Sequence, residues 1–103
     1  MLWHRKYHVT LTTSTLSFGY SAGCAQKKCN RSDIQTVEVV SHINGFCDWG
    51  GYGIRKRLPA WETGYIPKNG SGLRITIKEE NGKITDYTFI CDEAEKVARM
   101  LTG

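Results

Sequence analysis

Two apolar alternations placed back to back, followed by one helical stripe, constrain this chain more than any other feature. Leu73, Ile75 and Ile77 alternate with Arg74, Thr76 and Lys78, and Tyr87, Phe89 and Cys91 alternate with Asp86, Thr88 and Ile90. Successive strand side chains point to opposite faces, so each run predicts a half-buried strand. A two-residue Asn81-Gly82 loop between them would set Ile77 against Asp86 and mix polar groups into the apolar face. A three-residue loop, Glu80-Asn81-Gly82, instead sets Ile75 opposite Tyr87 and Leu73 opposite Phe89. It places Glu79 against Lys83 and gives Gly82 the left-handed position of a bulged turn. The second register is the expected one, because a slip of one residue turns every side chain to the wrong face. Next, Asp92 caps a helix with an acidic first turn, and Ala94, Val97, Ala98 and Leu101 fall at i, i+3, i+4 and i+7. So short a helix is marginal alone in water and must dock on an apolar surface.

The earlier chain is rich in β-formers. Tyr7, Val9 and Leu11 alternate with polar residues; Thr12–Thr15 supply a turn; Leu16, Phe18 and Tyr20 resume the alternation as a hairpin partner. Residues 21–30 read as a loop. Ile34, Val37, Val39 and Val40 fall in one strand, with irregular spacing that predicts a bulge or bend. Residues 53–58 form another strand, which Pro59 ends because it has no N–H to donate. A short strand runs from Trp61 to Ile66, and residues 67–72 form a turn. The expected layout is six or seven antiparallel strands and one terminal helix.

Between these lies Cys47-Asp48-Trp49-Gly50-Gly51-Tyr52-Gly53-Ile54-Arg55-Lys56-Arg57. Its glycines match neither the Walker spacing nor GxGxxG, so a phosphate cradle is the weaker reading. They are expected to supply bulges and positive φ where the chain crosses from one sheet to the other.

At 103 residues, with 40% hydrophobic and 23% charged residues, composition fits one soluble globular domain spanning residues 1–103. The N-terminal residues lack the apolar core of a signal peptide, and no run is long enough to span a membrane. A cytoplasmic location is expected, with Cys24, Cys29, Cys47 and Cys91 as free thiols. The net charge is +4, with eight Lys/Arg against three Asp/Glu in residues 1–57. That imbalance permits weak attraction to polyanions without requiring it.

Lys27, Lys28, Arg31, Arg55, Lys56 and Arg57 are the candidate binding cations, with Trp61 placed to stack on a base. The plainer account of Arg55-Lys56-Arg57 is solubility and protection of an exposed strand edge. Cys24 and Cys29 form a weak candidate metal pair, with Lys27 and Lys28 favouring thiolates. No nucleophile–base–orienter arrangement can be named from spacing, so neither a catalytic residue nor a cofactor is assigned.

Gly51-Tyr52-Gly53-Ile54-Arg55, Thr63-Gly64-Tyr65 and Gly70-Ser71-Gly72-Leu73-Arg74-Ile75 together resemble the signature of bacterial pleckstrin-homology-like domains. Asp92–Val97 is similar to that family's closing-helix segment without its proline. The resemblance implies an α+β fold, mainly antiparallel β: a PH-like barrel, or two roughly orthogonal sheets capped by a C-terminal helix. Lipid-binding relatives carry cations in the first hairpin loop, and Thr12-Thr13-Ser14-Thr15 has none, so lipid binding is not carried over. The expected function is a non-catalytic interaction module, engaging a protein partner or a second copy through a strand edge. The alternative is weak polyanion binding, to nucleic acid or phospholipid headgroups, through the basic residues.

Overall fold

The computed structural model describes residues 7–20, 26–45, 49, 51, 53–57 and 62–102. Their order is β1 (Tyr7–Leu11), β2 (Thr15–Tyr20), β3 (Gln26–Asn30), a 3-10 turn (Arg31–Asp33), β4 (Ile34–Ile43), β5 (Gly53–Arg57), β6 (Glu62–Ile66), β7 (Gly70–Lys78), β8 (Ile84–Ile90) and helix α1 (Ala94–Thr102). Among the described residues the strands form two sheets, a three-stranded one ordered β1-β2-β3 and a five-stranded one ordered β4-β7-β8-β6-β5. The fold is α+β, and no helix among the described residues is long and apolar enough to cross a membrane.

The β7–β8 hairpin has the expected register, with Ile75 opposite Tyr87 and Leu73 opposite Phe89. The Glu79 N–H donates to the Lys83 carbonyl at 2.8 Å, and the Gly82 N–H donates to the Glu79 carbonyl at 2.9 Å. Gly82 has φ 84°, the left-handed turn position that a side chain would strain. In the first hairpin Tyr7, Val9 and Leu11 face Tyr20, Phe18 and Leu16. The Thr12 hydroxyl oxygen accepts from the N–H groups of Ser14 and Thr15, at 3.3 and 2.9 Å, which closes the polar turn.

The main core lies between the sheets. Phe18 stacks on Phe89 at 4.2 Å between centroids and meets Tyr65 and Tyr87 edge-on, at 5.2 and 5.9 Å. Leu16, Leu73 and Ile75 are fully buried in the same cluster, and Ala94, Val97, Ala98 and Leu101 of α1 pack against it. The predicted helical stripe therefore docks as expected. Burying each large side chain contributes about 1.5–3 kcal/mol. A second cluster, Ile43, Trp49, Ile66 and Ile90, covers part of the opposite face of the large sheet. There Trp49 lies so close over Gly64 that a Cβ on Gly64 would sit 2.8 Å from the indole. Covered on both faces, β6 is buried along its whole length.

Four expectations need correction. Among the described residues the two sheets share no strand pairing, so no closed barrel forms. Second, the described residues form eight strands, and β6 runs parallel to β8, with Gly64 opposite Thr88 and Tyr65 opposite Phe89. This follows because β8 inserts between β6 and β7. The three residues Pro67–Asn69 need only span two strand spacings, about 10 Å, within the reach of so short a segment. Third, residues 26–30, expected as loop, form β3, pairing Leu16 with Cys29 and Phe18 with Lys27. Its inward positions are Lys27 and Cys29, which hides the apolar alternation. Fourth, the mid-chain glycines do not carry the chain between sheets, since β4 and β5 are opposite edges of the same sheet. The crossing occurs at the 3-10 turn after β3. Gly51 and Gly53 do take positive φ, 144° and 98°. The irregular spacing in β4 is expressed as two register shifts, between Ile34 and Thr36 and between Val40 and Ile43.

Candidate functional site

The candidate cations separate into two groups on different sheets. Lys27 and Lys28 lie on β3, beside Arg31 in the 3-10 turn, while Arg55, Lys56 and Arg57 lie on β5 at the far edge of the large sheet. Trp61 and Cys24 fall outside the described residues, as does the Arg57 side chain.

In the first group, Lys27 donates to both carboxylate oxygens of Glu79, at 3.0 and 2.9 Å. Its ammonium also sits over the Tyr87 ring, 5.3 Å from the centroid. Burial disfavours the charged lysine, but the Glu79 hydrogen bond, the nearby Tyr87 and the Glu79 charge outweigh it, so its pKa rises. Arg31 is also engaged: its guanidinium donates to the Thr12 carbonyl at 3.0 Å and to the Met100 carbonyl, tying the first hairpin loop to the end of α1. Lys28 is exposed and lines a cleft of about 630 Å3 with Lys27, Cys29, Asp33, Lys78 and Glu80. Cations and carboxylates alternate around this cleft, so it presents no uniform anion-attracting field.

The thiol at this cleft is not a prepared ligand. Burial pushes the Cys29 pKa up to about 11 against the lowering effect of Lys27. Contrary to expectation, the neighbouring lysines do not produce a thiolate at neutral pH, because desolvation wins. Among the described residues no three His, Cys, Asp or Glu side chains converge as a metal site.

The second group lies on an edge. Among the described residues β5 pairs only with β6, in five unbroken pairs from Gly53–Ile66 to Arg57–Glu62. Alternation puts Arg55 on the outer face of the sheet with Gly64, and Lys56 on the inner face with Thr63. Lys56 donates from Nζ to the Thr63 hydroxyl at 3.1 Å. The Arg55 guanidinium lies against Gly51, where an added Cβ would come within 2.5 Å of it. Ile54, beside Lys56 on the inner face, is 43% exposed. Arg55 and Lys56 therefore point to opposite faces and do not form one patch.

Two polar arrangements were not foreseen. Glu62 is only 2% exposed, receives a hydrogen bond from Thr88 and pairs with the Arg74 guanidinium at 3.2 Å. The sequence shows Glu62 only as an acid beside Thr63, and its burial needs the unforeseen β6–β8 pairing. A second cleft, of about 560 Å3, is lined by Tyr7, His8, Lys68, Cys91, Asp92 and Val97. Burial raises the pKa of both Tyr7 and Cys91 there, so both stay protonated to higher pH than an exposed phenol or thiol does.

No protein-family model, no curated protein and no solved structure matches the chain.

Proposed function

We propose that this chain is a non-catalytic recognition module that engages an extended protein segment along a strand edge. The observation that carries this reading is the open topology: among the described residues β4 and β5 end the large sheet, and β1 and β3 end the small one. An edge strand offers unpaired N–H and C=O groups at alternate residues, and an added strand satisfies them while its side chains confer selectivity. The paired states of Lys27 and Arg31 weigh against a broad polyanion surface, since binding phosphate would require breaking internal hydrogen bonds. The two-sheet layout with a terminal helix supports the pleckstrin-homology-like resemblance as part of this reading, and the parallel β6–β8 pair departs from it.

Panning extended peptides against the chain, then mapping each bound peptide by amide hydrogen exchange, tests the proposal. Protection running along an edge strand is the expected result. Protection confined to the clefts, with every edge strand unaffected, would overturn it.

A further inference from the structure

We infer that β4 is the receiving edge and that its partner is an extended protein segment with a basic residue at its centre. This rests on the strand-edge reading above and narrows it to one strand and one chemistry.

The four edges differ in how they resist strand addition. Residues 53–57 end in three consecutive cations, and β3 turns the charged Lys27 inward beside Lys28; both are devices that deter a new strand. β1 holds no Lys, Arg, Asp or Glu with which to select a partner, and its Tyr7 hydroxyl is committed to Ile90. β4, the longest edge at ten residues, has no Lys, Arg or Pro to deter pairing. Its two register shifts confine the regular template to one stretch, which pairs with β7 without a break from Thr36–Thr76 to Val40–Gly72. Every residue of that stretch except Glu38 is β-branched and suits a strand.

Charge then selects the partner. Glu38 stands at the middle of the template, is exposed, and among the described residues makes neither an ion pair nor a side-chain hydrogen bond. Arg74 lies opposite it on β7, but that guanidinium is engaged by the buried Glu62 at 3.2 Å. Glu38 is therefore an unanswered carboxylate on the outer face, and a Lys or Arg across the new ladder answers it. Val37 and Val39 alternate to the inner face, opposite Ile75 and Leu73. Val39 is 38% exposed and lines a groove of about 410 Å3 with Ser71 and with Ala94 and Glu95 of α1. Apolar residues on either side of the partner's cation fit these two valines. Glu38 also opposes a second copy: two-fold antiparallel pairing of the whole template sets Glu38 against Glu38. A slide of two residues parts the carboxylates but takes part of each template out of the regular ladder.

The test uses the full chain and a fluorescein-labelled peptide, Thr-Val-Thr-Val-Lys-Val-Thr-Val-Thr. One control has Glu at the centre, and another has prolines in place of the valines and cannot pair as a strand. The Lys-centred peptide should bind, with amide protection at alternate residues of the stretch 36–40, and the proline control should not. The Glu-centred peptide should bind about fivefold more weakly or worse. A net charge of +4 would by itself favour the Glu-centred peptide, so the opposite order reports Glu38. Glu38→Lys should invert the preference, and the milder Glu38→Gln should level it while leaving the fold undisturbed. Equal binding of the Lys and Glu peptides to the parent chain would overturn the assigned chemistry, and equal binding of the proline control would overturn strand addition here. Concentration-dependent protection of β4 without peptide would replace the partner with a second copy, and no binding of the Lys-centred peptide overturns the inference outright. Protection on another edge instead of β4 would sink this inference and leave the strand-edge reading standing.

Discussion

The Tyr7 hydroxyl donates to the carbonyl oxygen of Ile90 at 2.5 Å, joining the first strand of the small sheet to the last strand of the large one. Removing the donor leaves a part-buried carbonyl with one partner fewer and keeps the ring. Tyr7→Phe should therefore cost about 1 kcal/mol in urea unfolding, with an unchanged denaturant slope. A stability equal to the parent's would show that water replaces the bond without penalty.

Two glycines should respond to alanine for different reasons. At Gly72 a Cβ would lie 2.3 Å from the Phe89 carbonyl oxygen and 2.7 Å from the Ile43 side chain, so strand backbone would have to move. Gly72→Ala should cost about 3 kcal/mol or more, in the range of overpacked core positions. At Gly82, where φ is 84°, nothing stands within 4 Å, and only backbone strain of about 1–2 kcal/mol opposes alanine. Thermal melts of the two variants should rank accordingly, and the reverse order would contradict the packing at β7.

The Lys27–Glu79 pair should register in a double-mutant cycle. Its side chains are 23% and 24% exposed, and the ammonium contacts both carboxylate oxygens. Combining Lys27→Met with Glu79→Gln should reveal a coupling of about 1 kcal/mol, above the usual value for an exposed pair. Additive losses would mean that solvent screens the contact.

Stability should decline above about pH 9, where unfolded thiols and then phenols begin to ionise. Burial raises the Cys29 pKa from 9.0 to about 11, and burial likewise raises Tyr7, Tyr20 and Tyr87 above 10.0. In each case the folded state keeps a proton that the unfolded chain releases. The stabilisation is complete below the unfolded value and is lost as pH climbs through the folded one. For Cys29 that window runs from 9.0 to about 11. Urea midpoints should be flat with respect to these groups through neutral pH and then fall, with a shallower fall in Cys29→Ala. A midpoint rising through this window would be incompatible with thiol burial.

Local pattern was legible where each residue's neighbours lie nearby in sequence. The Leu73–Phe89 register followed from a three-residue turn and one apolar face, and the α1 stripe from a 3.6-residue period. What escaped prediction depends on distant partners. Lys27 looks like a solvated cation until Glu79, 52 residues away, is brought beside it, and β3 then becomes a strand. Glu62 looks exposed until Thr88 and Arg74 arrive from β8 and β7. The basic residues were identifiable one by one, but their division between two sheets was not, since sheet membership is a non-local property.

The insertion of β8 has a consequence for the order of assembly during synthesis. Within the described residues β6 touches the rest of its sheet only through β5 and β8, and β7 only through β4 and β8. A nascent chain still lacking residues 84–90 can form two separate ribbons, β5–β6 and β4–β7, but not the continuous wall. The keystone is the last strand to be translated, followed only by α1 among the described elements, so both ribbons keep their inner margins unsatisfied until it emerges.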